Sequence, residues 1–150
     1  MQVLGIECDK ESFSYVLVDR LESGALHLTN GQRKAPPNST RQDSLSWIYN
    51  EVRDLVTALQ PAFAGLKRAD LGINSSNAVL QHAEVDGVVQ AALGSLTLEC
   101  ESFQWKSLAS RLGASNKAAA VVDLKSREAF RQVARSRMAA LGTALVARSS

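Results

Sequence analysis

Long apolar runs are missing from this sequence: nothing approaches the roughly 18 apolar residues that a membrane-spanning helix needs. The start also lacks a basic segment leading into an apolar one, so no secretory leader is expected. There are two cysteines, Cys8 and Cys100. Two are too few for a disulfide framework, and a reducing, cytoplasmic setting is the expectation. The two histidines, His27 and His82, have no Cys or His partners at ligand spacing, which argues against a zinc site. No G-x-G-x-x-G or Walker pattern occurs, and neither Ser12 nor Ser14 has a base that would complete a hydrolase triad. Aromatic residues make up only 5% of the chain, and none is interleaved with the basic residues as base stacking would require.

What is present is a chain of 150 residues, 45% hydrophobic and 21% charged, enough for one domain (1–150) with a substantial core. The net charge of +2 conceals an asymmetry. Residues 1–100 carry 8 Lys/Arg against 12 acids, whereas residues 101–150 carry 9 Lys/Arg against 3. Such a distribution permits an anionic partner at one end of the domain.

Gln2–Cys8 and Ser12–Asp19 read as strands rich in Val, Ile, Phe and Tyr, and Ala25–Thr29 as a short third one. Residues 30–40, with Gly31, Pro36 and Pro37, read as a loop. Ser39-Thr-Arg-Gln42 has the form of a capping box, followed by Leu45, Ile48, Val52, Leu55, Val56 and Leu59 on one helical face and Pro61 as a stop. Residues 62–66 read as a buried strand, and residues 68–77 as a polar loop holding Asp70, Asn74, Ser75, Ser76 and Asn77. This loop falls where open α/β sheets bind ligands, although helix capping explains its residues equally well. A helix over residues 78–93 follows, with Leu80, Ala83, Gly87 and Ala91 nearly in line and Glu84 and Asp86 on a solvated face. Residues 95–100 read as a fifth strand and 103–112 as a short helix ended by Gly113. Ser126 then caps a long last helix from Arg127 to about Ala147. With strand four between them, Cys8 and Cys100 would lie about 9–10 Å apart, too far for a disulfide.

The order βββ-α-β-α-β-α implies a mixed sheet covered by helices. It resembles the ribonuclease H-like fold, and several segments resemble its RuvC resolvase branch. Gly5-Ile6-Glu7 is similar to the G-I-D that ends the branch's first strand with a metal-binding carboxylate. Ala64-Gly65-Leu66-Lys67 stands where the branch has a strand ending in glutamate. Asn74 to Gly87, Trp105-Lys106 with Leu112-Gly113 and Lys117, and Ala140-Leu-Gly-Thr-Ala144 resemble three further segments. The shortness of the fourth strand and its lysine look most like a small bacterial RuvC-like family of unknown function. The resemblance implies a five-stranded mixed sheet flanked by helices, with strands 1–3 antiparallel and strands 4 and 5 parallel to strand 1.

It also implies about four carboxylates holding two metal ions for phosphodiester cleavage. Glu7 keeps the first position, Lys67 stands at the second, and Ser136–Ala139 offers no acid where two aspartates belong. Asp70 and Asp123 are the acids left to recruit. A half-buried Glu7 needs compensation, and an ion pair of Glu7 with Lys67 or with Arg137 would fill the space of the lost metals. Alternatively Lys67 snorkels to solvent and Arg137 packs only its stem.

Arg127, Arg131 and Arg135, spaced i, i+4, i+8 on the expected last helix, form a basic stripe. With Lys106 and Lys117 it would track a phosphate backbone, unless it is simply a solvated face. The first reading is therefore a catalytically degenerate RuvC-like protein that binds DNA or RNA, without metal or other cofactor. A protein-interaction scaffold, formed as a homodimer through a helical face, is the second. An active nuclease using Glu7 with Asp70 or Asp123 and Mg²⁺ or Mn²⁺ is the third.

Overall fold

The computed structural model describes residues 1–72 and 75–149; Asn74, one of the loop residues considered above, lies outside them. The chain runs β1 (Gln2–Cys8), β2 (Ser12–Leu21), β3 (Gly24–Lys34), α1 (Arg41–Leu59), β4 (Phe63–Lys67), α2 (Asn77–Ser95), β5 (Cys100–Phe103), α3 (Trp105–Arg111), α4 (Lys117–Ser126) and α5 (Met138–Val146). The five strands form one sheet in the order β3-β2-β1-β4-β5. Strands β1, β2 and β3 are antiparallel neighbours, while β4 runs parallel to β1 and β5 parallel to β4. This is the mixed sheet expected from the order of elements.

Side chains alternate across a strand, and the alternation in β1 divides the molecule. Leu4, Ile6 and Cys8 enter a core with α1 and α2, through Ile48, Val52, Leu55, Val85 and Val89. Val3 enters the opposite core, with Phe103, Leu108, Leu124, Met138 and Leu141. Gly5 and Glu7 share the face of Val3. A Cβ on Gly5 would lie 1.8 Å from the carbonyl oxygen of Ala140, and one on Gly65 would lie 2.6 Å from that of Thr143. The register pairs Gly5 with Gly65, so two adjacent glycines make a trough in which α5 rests directly on the sheet. Thr143 secures it, its hydroxyl donating to the carbonyls of Gly65 (3.2 Å) and Ala140 (2.9 Å). Seven of the 9 residues of α5 are buried, as befits a helix that is apolar all round.

The last helix is not the continuous Arg127–Ala147 element expected. The chain leaves helical geometry at Arg127, makes short 3-10 turns at Glu128–Phe130 and Arg135–Arg137, and re-enters a helix only at Met138. Neither proline nor glycine causes the break. Packing does: Ala120, Val121 and Leu124 of α4 bury in the same core as α5. A straight rod cannot fold back on itself, so the connection must turn, burying Phe130 and Val133 as it does. The ammonium of Lys125 takes up the carbonyls of Arg131 (3.0 Å) and Val133 (2.7 Å) that no helix satisfies. Arg127, Arg131 and Arg135 therefore lie on separate pieces of backbone, and the stripe does not exist. Ser126 closes α4 and caps nothing, whereas the Asn116 side chain opens it by accepting from the Ala119 amide at 2.9 Å.

Smaller differences follow from tertiary pairing. Strand β3 extends to Lys34 through the expected loop, because Asn30 to Lys34 continue the ladder with β2. As the edge strand it carries a bulge opposite Leu17/Val18, which discourages pairing with another chain. The cap of α1 is Thr40, accepting from the Asp43 amide at 3.1 Å, one residue beyond the expected Ser39. Strand β5 lies at Cys100–Phe103 instead of 95–100, because α2 runs on to Ser95. The inward face of α2 is Val85, Asp86, Val89, Ala92 and Leu93, and Leu80 is exposed. Among the described residues no helix is long and apolar enough to cross a membrane. Cys8 and Cys100 are free thiols; burial pushes the first well up and the second to about 12.

Candidate functional site at the carboxyl ends of β1 and β4

From β1 the chain turns toward β2, and from β4 it crosses by α2 toward β5 on the other side. The sheet order therefore reverses between β1 and β4, and in α/β sheets such a reversal places the usual ligand crevice beyond the carboxyl ends of those strands. Glu7 and Lys67, the last register pair of the β1–β4 ladder, stand at its floor on the α5 side.

Lys67 is only 2% exposed. Its ammonium donates to Asp70 Oδ2 at 3.0 Å and to the Arg68 carbonyl at 2.5 Å, and sits 5.9 Å from the centre of the Trp105 ring. Lys117, at the start of α4, places its ammonium 5.4 Å from the same ring. Asp70 uses its other oxygen to accept the Trp105 amide at 3.0 Å, tying the loop after β4 to the start of α3. A second carboxylate supports this loop from beneath. Asp86 of α2 is 4% exposed, accepts the Ala69 amide at 2.8 Å, and lies 3.4 Å from His82 Nε2. Burial alone would lower the His82 pKa, but the Asp86 carboxylate outweighs it and raises it.

Glu7 makes no ion pair, and no hydrogen bond from its side chain occurs among the described residues. Burial raises its pKa, against the pull of Lys67, His82 and Lys117. The expected Glu7–Lys67 pair is thus absent at contact distance, and its charges act only across the crevice. Asp70 turns back three residues after Lys67 and, with the Arg68 carbonyl, takes the ammonium first. Lys67 does not snorkel either. The Glu7–Arg137 pair is also absent, because the chain entering α5 passes over β3, where Arg137 donates to Asn30 Oδ1.

Of the other expected site residues, Lys106 and Lys117 are exposed near this end, at the starts of α3 and α4. Asp123 is not near it. It lies six positions along α4 from Lys117, about 9 Å by helix rise, and pairs with Arg127 at 2.8 Å. Arg127 lines a cavity beside Leu21 and Gly24, the turn at the opposite end of the sheet. Arg131 faces His27 and Glu128 beside β3, and Arg135 is exposed on its 3-10 turn. Of the loop residues, Ser76 caps α2, accepting from the Val79 amide at 3.2 Å, while Ser75 and Gly72 close a turn on one another, so capping accounts for Ser76 and the turn for Ser75. Two contributors were not anticipated. Asp86 was placed on the solvated face, although its i, i+4 spacing from His82 was visible. Trp105 figured only as part of a segment resembling the RuvC branch, and its place beside two lysines is purely tertiary.

The structure of Thermus thermophilus RuvC superposes on this chain with a TM-score of 0.81 at 16% identity, covering 97% of this chain and 92% of that one. The fold is the RuvC resolvase fold. A structure of T. thermophilus RuvC in complex with Holliday junction substrate matches with a TM-score of 0.78 over the same shares at 16% identity. The yeast mitochondrial Holliday junction resolvase Ydc2 matches with 0.59 at 14% identity, over 95% of this chain and 76% of its own. No protein-family model matches the sequence, and no curated protein matches it either.

The RuvC resemblance calls for two metal ions, and the donor set does not suit them. Among the described residues no three His, Cys, Asp or Glu side chains gather as a cation site. Mg²⁺ binds through carboxylates and water in a near-octahedral shell. Here Asp70 is already held by the Lys67 ammonium and Asp86 by the Ala69 amide.

Proposed function

We propose that this chain is a catalytically degenerate protein of RuvC fold that binds nucleic acid at the carboxyl end of its sheet, with branched DNA as the first candidate. The observation that carries this reading is Lys67. Buried on the floor of the crevice and fixed to Asp70, it supplies a tethered positive charge where two-metal cleavage needs a negative one. The loop after β4 and the start of α3 are thereby assembled by the chain's own cation. The matching RuvC structure contains a Holliday junction substrate. The exposed Lys106 and Lys117 stand where this chain would meet phosphates. Arg127, at the far end, falls outside that surface, as does Asp123.

A gel-shift titration with four-way, duplex and single-stranded probes at two salt concentrations, with and without EDTA, tests the reading. Binding should prefer the junction and ignore EDTA. Replacing Lys106 and Lys117 by alanine should lower the salt slope by about one per lysine. Junction cleavage in Mn²⁺ that is abolished in Glu7→Gln would overturn the degenerate reading in favour of the nuclease. A second reading, a homodimer through a helical face, draws on Leu80 of α2, a large apolar side chain 51% exposed. Concentration-dependent light scattering that Leu80→Glu abolishes would support it.

A further inference from the structure

At the end of the sheet opposite Glu7, a cavity of about 310 Å³ opens between the β2–β3 turn, the end of α3 and the end of α5. Arg20, Arg111 and Arg127 line it, with Leu21 and Gly24 from the turn, and no carboxylate side chain does. We infer that this cavity is a second anion site, and that it takes a phosphate group.

Part of the arrangement has a purely structural cause. The last carbonyls of a helix lack partners and carry its negative pole. Arg111 donates to the Val146 carbonyl at 3.2 Å and Arg20 to that of Ala147 at 2.5 Å, so both close the end of α5. Capping does not account for the rest. Arg127 touches neither carbonyl, and its guanidinium is held at the cavity by Asp123. Arg111 is balanced by Glu101 at 2.9 Å, but among the described residues half-buried Arg20 has no carboxylate partner and meets the Ala147 carbonyl and, at 5.6 Å, the face of Phe63. A guanidinium carries five N–H donors and keeps its charge at any physiological pH. Among the described residues Arg20 directs one of the five to protein, so a permanent cation with further donors stands beside a space large enough for a phosphoryl group. Planar, forked donors suit phosphate oxygens bidentately. The carbonyls at the end of α5 are already covered, and the carboxylates of Asp123 and Glu101, which pair with Arg127 and Arg111, do not line the cavity.

This site does not depend on the proposed function, being served by different residues at the other end of the sheet. The phosphate can belong to a free nucleotide or polyphosphate, or to a nucleic-acid backbone. A titration of the isotope-labelled full chain by NMR at constant ionic strength, with pyrophosphate, ATP and a short duplex in separate arms, tests the inference. The expected result is saturable shifts at residues 21–25, 111–113 and 145–146. Affinity should weaken at least tenfold in Arg127→Gln and in Arg20→Gln and stay unchanged in Arg53→Gln, an exposed position on α1. Arg127→Gln keeps the test valid if Arg20→Gln fails to fold, because the Arg127 side chain is exposed and caps nothing. Shifts from pyrophosphate and ATP assign a free phosphate ligand; shifts from the duplex alone assign a backbone. No saturable shift in any arm, or shifts that both arginine variants retain, would overturn it.

Discussion

The two ends of this sheet treat charge in opposite ways. At the carboxyl end, charges of both signs interlock: Lys67 is held by Asp70, Asp70 by the Trp105 amide, and the loop between them by Asp86 and His82. At the amino end, three arginines surround a cavity and their acids stand outside it. A buried lysine that must be satisfied from within makes a rigid floor. Guanidinium groups with donors to spare make a receptor. The end that carries Glu7 is thus the one most fully closed upon itself.

Breaking the floor begins with the trough beneath α5. Gly65→Val would force a side chain into the Thr143 backbone and should cost about 3 kcal/mol or more in urea denaturation. Next is Asp86→Ala, which leaves the Ala69 amide unpaired in a buried place. A loss of about 1–3 kcal/mol is expected. Its signature beyond stability is a changed Trp105 fluorescence, since the loop that Asp86 holds also carries Asp70; an unchanged indole signal would separate the two layers. The Lys67–Asp70 pair comes third. A double-mutant cycle through Lys67→Met and Asp70→Asn should return a coupling of about 1 kcal/mol, because Asp70 keeps 49% of its side chain in solvent. A coupling near zero would mean that the Arg68 carbonyl and the indole suffice to hold the ammonium.

Glu7 sharpens the comparison through pH. Folding raises its pKa, so the folded chain binds this proton more tightly than the unfolded one. Stability then falls as pH climbs from 4.5 through the raised value. Glu7→Gln should accordingly be at least as stable as the parent at neutral pH, its advantage shrinking as the medium is acidified through that window. A variant that melts lower at neutral pH would show that the lysines across the crevice outweigh burial. The smallest effect belongs to the other end: Arg127→Gln removes one exposed i, i+4 pair and should change stability by no more than about 0.5 kcal/mol.

Much of the architecture was legible because it rests on local pattern. Alternating Val, Leu and Ile in β1 and β2, and the apolar face of α1, name their elements without reference to anything distant. The failures share one cause. Residues 127–147 have helical composition throughout, yet α4 must fold back against α5, and that demand overrides propensity. Residues 30–34 look like a loop until β2 offers them a ladder. In the site, Lys67 and Glu7 were rightly expected on neighbouring strands. Which acid reaches the ammonium depended on the short turn between Lys67 and Asp70, with only Arg68 and Ala69 between them.

By itself, the sequence determined the kind of sheet, the lysine at position 67 and the acid-free stretch before Ala140, and the excess of basic residues after residue 100. These are matters of residue type and period, which no packing can alter. Only the tertiary structure decided who partners whom. It gave Lys67 to Asp70, left Glu7 without a partner among the described residues, buried Asp86, and carried Arg127 away from Lys117 to join Arg20 and Arg111. The reason is that a charge chooses its partner by distance in space, and distance across a folded chain is set by how helices pack upon a sheet.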